Sequence, residues 1–191
     1  MSSRNILSLR PPDSEFVEVA FGRETRRHQQ RVSNRLDIVI DGQPVRSWVR
    51  DWERPEWEHE IPTLDFVTQL SRSSPRKAKQ QIDQLRGPRP GREPVTAELL
   101  YCPACFDISD GNLAVEISRT EDTLTWQRFG WIDEDDATTA DALIPNASQF
   151  SFDASAYDHA LNEAQAALSG NFLTDWRKRY RRRGPQQPGN Y

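Results

Sequence analysis

The chain has 191 residues, 36% of them hydrophobic and 28% charged, and its 29 acids against 25 bases give a formal charge of −4. Six Trp, eight Phe and four Tyr exclude a wholly disordered chain. No run approaches the roughly 18 apolar residues of a membrane span, which excludes a transmembrane helix.

Met1–Pro12 offers only Ile6, Leu7 and Leu9 as large apolar residues after the initiator, too few for a signal-peptide core. A cytoplasmic address is therefore expected, and the length points to one domain. Glu15–Phe21 alternates apolar and polar residues and predicts a half-buried strand. The basic, Gln-containing stretch Arg23–Arg35 reads as an exposed loop. Leu36–Ile40 reads as a strand, and Asp41-Gly42 is a turn dipeptide leading into a second strand over Val45–Val49. Trp48, Trp52 and Trp57 follow among charged residues, a cluster that reads first as core packing. Thr63 is placed to cap a helix with Phe66, Val67 and Leu70 on one face. Ser74-Pro75 repeats that signature, with Pro at the first helical position and Ala78, Ile82 and Leu85 at helical spacing. Three prolines and two glycines within 87–94 mark an internal loop.

Beyond that loop the pattern turns to strands. Glu98–Tyr101 and Leu113–Ile117 are short apolar runs, and Thr123–Phe129 alternates and is expected to pair with Leu113–Ile117 across a turn at Arg119–Asp122. Phe150–Phe152 is short and aromatic. Asp153 is placed to cap a helix carrying Tyr157, Leu161, Ala164 and Leu168 on one face, with Gly170 as its stop. The expected fold is α+β, an antiparallel β-rich sheet with a C-terminal helix packed on it. The expected organisation is one domain over 1–183, with the Pro/Gly-rich loop at 87–94 inside it and a disordered tail over 184–191.

The modest net charge hides a segregation. Residues 1–97 carry +3, residues 98–176 hold 15 acids against Arg119 and Arg128, and the last fifteen residues add six bases and no acid. Twenty-two of the 25 bases are arginine, which a GC-rich genome explains. An acidic stretch of this density attracts basic surfaces and repels nucleic acid, and equally serves as a solvated face that keeps a protein soluble. Its densest run is Asp133, Glu134, Asp135 and Asp136, directly after Trp131. These lack the spacing of a calcium-binding loop, so an exposed acidic loop is the better reading. The basic cluster Arg177, Lys178, Arg179, Arg181, Arg182 and Arg183, with Tyr180 among them, is of a kind that holds phosphates. The acidic region directly before it stands against nucleic-acid binding, which stays a weaker reading for this tail.

Cys102-Pro-Ala-Cys105 is the one motif with chemistry of its own. A redox pair needs its first cysteine at a helix N-terminus, whereas Phe-Asp-Ile-Ser-Asp-Gly here reads as a turn. Zinc would take both thiolates but needs two more ligands, for which Asp107, Asp110, His59 and His159 are the candidates. The plainest alternative is two reduced, partly buried thiols at a strand end. No nucleophile elbow, phosphate-binding loop, dinucleotide fingerprint or zinc-protease motif is present.

Leu99–Gly111, then Leu113–Ile117 and Trp126-Gln-Arg-Phe-Gly-Trp131, resemble bacterial proteins that share a C-x-x-C-x-D segment followed by a hairpin holding Trp-x-x-Phe. The resemblance covers about a sixth of the chain and implies a β-rich fold with no assigned activity. The chain departs from that pattern at Asp110, where the similar proteins often carry a further cysteine.

The leading expectation is a non-enzymatic binding protein without a cofactor, whose acidic face at Trp131, Asp133, Glu134, Asp135 and Asp136 docks a basic protein partner, as an immunity-type inhibitor of a toxin would. The alternative is a structural-zinc or thiol-dependent protein built on Cys102, Cys105, Asp107 and Asp110.

Overall fold

The computed structural model describes residues 4–12, 15–21, 24–30, 34–52, 66–101, 112–132 and 142–169. The first long-range pairing sets Leu7–Arg10 (β1) antiparallel to Asp37–Ile40 (β4), with Leu7 opposite Ile40 and Arg10 opposite Asp37. Between them the chain makes a separate ribbon of Glu15–Phe21 (β2) and Glu24–Gln30 (β3). The stretch read as a basic loop therefore contains a strand. Its polar side chains carry no strand signal of their own, and the pairing with β2 supplies it.

Asp41 and Gly42 both take positive φ, 51° and 84°, and turn the chain into the two-residue strand Gln43–Pro44 (β5). The expected turn is there, but the strand over Val45–Val49 is not: Val45–Trp52 is a helix, α1. The alternation of Val45 and Val49 with polar neighbours hid a second pattern. Val45, Trp48, Val49 and Trp52 fall at i, i+3, i+4 and i+7, one face of a helix. Val45, Val49 and Trp52 are buried on it. Trp52 packs on Phe129 at 4.8 Å and Trp48 on Phe150 at 5.3 Å.

Residues 66–72 run extended where a helix is expected. Val67 and Tyr101 exchange backbone bonds of 2.9 and 2.8 Å, and on the other side Leu36 N donates to Leu70 O at 2.8 Å and Arg72 N to Asn34 O at 2.9 Å. The segment is wedged between two partners, so Phe66, Val67 and Thr68 are buried in succession. A chain buried on both sides loses the alternation that marks a strand. Pro75–Leu85 (α2) forms as expected, with Pro75 in its first turn but with no capping bond from the Ser74 side chain, and it buries Ala78, Gln81, Ile82 and Leu85. Gln81 is fully enclosed and fully used: its Oε1 accepts from Gln69 N at 2.8 Å, and its Nε2 donates to the carbonyls of Glu98 and Leu99 at 3.0 Å each.

Val95–Leu100 (β6), Asn112–Arg119 (β7) and Thr123–Ile132 (β8) make an antiparallel meander. Along its other edge β8 pairs with Phe150–Asp153 (β10) and with Ala142–Leu143 (β9). Asn5, just before β1, bridges to the β10 region, its N donating to Ser151 O at 2.7 Å and its Oδ1 accepting from Ser151 N at 2.9 Å. Followed from partner to partner, the pairings run β4, β1, β10, β8, β7, β6, residues 66–72 and back to the start of β4, a ring. Closure removes the open edges of a flat sheet. One buried cluster fills the inside, from Ile38 and Ile40 to Leu99, Val115, Trp126, Phe129 and Phe152.

Ala154–Ser169 (α3) packs on β1, β8, β10 and α2. Its N-cap is Asp153, whose Oδ1 accepts from Ala156 N at 2.9 Å. Tyr157, Leu161, Ala164 and Leu168 form the buried face, as their spacing predicts. The Tyr157 hydroxyl accepts from Trp126 Nε1 at 3.1 Å and donates to Leu85 O at 2.8 Å, tying α3 to β8 and to the end of α2. The fold is thus α+β, with antiparallel sheets and a C-terminal helix against them. Among the described residues no helix is long and apolar enough to cross a membrane.

Candidate functional site

Residues flanking three connections that lie outside the described residues, 53–65, 102–111 and 133–141, meet at one end of the meander. Leu100 is the partner of Leu113, Leu113 of Trp131, and Asn112 of Ile132, so the described residues that flank 102–111 and 133–141 are neighbours in the sheet. The second of these returns beside its start, because Trp131 and Ala142 are partners. Residues 53–65 arrive at the same end: the next residue, Phe66, sets its ring edge-on to Trp131 at 5.2 Å, and Val67 pairs with Tyr101. Together the three connections contain twelve acids and a single base, Arg54. The acidity after residue 98 is plain in the sequence, whereas the contribution of 53–65 to the same end is not. The five acids of that segment were the available signal, and only the strand register shows where its end is brought.

Cys102, Cys105, Asp107 and Asp110, singled out from the sequence, belong to the first connection, and Asp133, Glu134, Asp135 and Asp136 to the second. All of them, and Arg177, Lys178, Arg179, Arg181, Arg182 and Arg183, lie outside the described residues. Trp131 is described, half-buried on the core beside Phe66.

A β-bulge positions Trp131. The register of β7 with β8 shifts between Ala114 and Glu116, and Arg128 takes φ 54°. Strict alternation would put Trp126 and Phe129 on opposite faces. The extra residue resets the count, so both are fully buried, while Gln127 and Arg128 both turn to Glu116, at 2.7 and 3.5 Å. The clean alternation expected over Thr123–Phe129 is therefore broken at Arg128. Bulges bend a strand and re-aim the residues beyond them, here Trp131 toward Phe66.

At the end of β6 and the start of β7 sits a small polar cluster. Asn112 is wholly buried; its Nδ2 donates to Glu98 Oε2 at 2.8 Å, and its Oδ1 has no partner among the described residues. Burial, reinforced by the Glu98 carboxylate, pushes the Tyr101 phenol far above its ordinary range, so it stays protonated.

Among the described residues no group of three or more His, Cys, Asp or Glu side chains is arranged to hold a metal ion. His159 is displaced from this end. It is exposed on α3 and faces Glu163 at 3.4 Å, and its neighbour Asp158 pairs with Arg119, at the far end of β7 from Asn112. At about 3.4 Å per residue, β7 separates the two ends by roughly 20–25 Å. His59, in contrast, belongs to a connection that ends here. Comparison with protein-family models, with curated proteins and with solved structures yields no match, so the likeness of residues 99–131 to a bacterial pattern brings no family with it.

Proposed function

We propose that this is a non-enzymatic cytoplasmic binding protein whose acidic face, centred on Trp131–Asp136, docks a basic protein partner, in the manner of an immunity-type inhibitor. The observation that supports it is that residues flanking three acid-rich connections, which contain twelve acids and one base, lie at one end of the sheet. A high density of carboxylates produces a field that speeds capture of a cationic surface. Trp131 and the exposed Leu143, partner of Gly130, add apolar area beside that field. Tryptophan is among the residues enriched at binding hot spots.

Affinity capture tests the reading, with the chain immobilised in its native form and as the quadruple variant Asp133→Asn, Glu134→Gln, Asp135→Asn, Asp136→Asn. The native chain is expected to retain a basic protein from lysate at about 50 mM salt and release it at about 500 mM, where the screening length shrinks severalfold. The neutralised chain is expected to retain none of it. Equal retention by both, or no retention at low salt, rejects the acidic face.

A second reading keeps the cysteines. Residues 102–111 join β6 to β7 beyond the Leu100–Leu113 pair, and a C-x-x-C pair there would chelate zinc with further ligands from Asp107, Asp110 or His59. A native mass spectrum of untagged protein decides it: one zinc bound and lost on Cys102→Ser supports this reading, and a bare mass with two free thiols removes it.

A further inference from the structure

We draw no further inference here: the strongest candidate, the exposed basic patch formed by Arg76, Lys77 and Lys79 on α2 with Arg89 and Arg92 in the loop that follows it, carries nothing, because nothing in the structure shows what covers it.

Discussion

Gly87 follows the end of α2 at φ +66°, and a Cβ added there would lie 2.6 Å from Ile117 Cγ2. Ile117 is fully buried in β7 and has nowhere to move. Gly87→Ala therefore combines left-handed strain with overpacking and is expected to cost about 2–4 kcal/mol. Gly42 separates the two causes, because it also takes positive φ but has nothing within 4 Å of an added Cβ. Gly42→Ala should show the strain alone, about 1–2 kcal/mol. Urea midpoints of the two variants, at unchanged slope, check both values. A drop for Gly87→Ala no larger than that for Gly42→Ala would remove the Ile117 contact as the cause. Arg128 shows the opposite economy. It adopts φ 54° without being glycine, in return for setting Trp126 and Phe129 on the same side of β8. The three-residue spacing of those two aromatics was the sequence-level sign of the bulge.

At the scale of elements, α3 carries its own start signal, and that signal titrates. The Ala156 N–H bond, and then the neighbouring Arg4 guanidinium, hold the Asp153 carboxyl below its ordinary value of 3.8. A carboxyl lowered in the folded state contributes stability that is fully present above its unfolded pKa and is lost as pH falls through the folded one. The melting temperature should therefore fall as pH drops below about 4, and Asp153→Asn, which keeps a capping oxygen but no charge, should flatten part of that fall. Identical pH profiles for the two proteins would show that the cap does not depend on the charge. Elements announced by such local chemistry were legible in the sequence: α2 from Ser74-Pro75, α3 from Asp153, the β7–β8 pair from its apolar runs and turn. Those whose state is set from outside were not. Residues 66–72 are extended because partners flank them on both sides, and β3 is a strand because β2 is. The same division holds for the site. The acidic run after Trp131 stood out at once, whereas the placement of Phe66, the residue after 53–65, beside Trp131 rests on a register between segments more than thirty residues apart, which no local pattern encodes.

Over the whole molecule the ring of pairings and the core depend on both sides of the Pro/Gly-rich loop. Trp52 rests on Phe129 at 4.8 Å, Leu85 O receives the Tyr157 hydroxyl, and Asn5 and Val67 make the two backbone junctions to the later strands. The loop itself contributes little, since residues 89–93 are exposed and Gly91 N gives one long bond, 3.4 Å, to Arg119 O. Cutting an exposed connection raises the entropy of the chain without removing a buried contact. A chain cleaved at a protease site placed between Arg89 and Arg92 is therefore expected to remain a one-to-one complex of its two fragments, with the circular dichroism of the intact protein. Residues 1–86 alone would expose the faces of β4, α1 and α2 that the later strands cover, and residues 95–191 alone would expose the inner face of the meander. Neither fragment is expected to fold singly, and mixing the two should restore the native spectrum. Size-exclusion chromatography of the cleaved protein gives the answer: co-elution means the core is built jointly, and two separate folded peaks would mean that each half closes a core of its own.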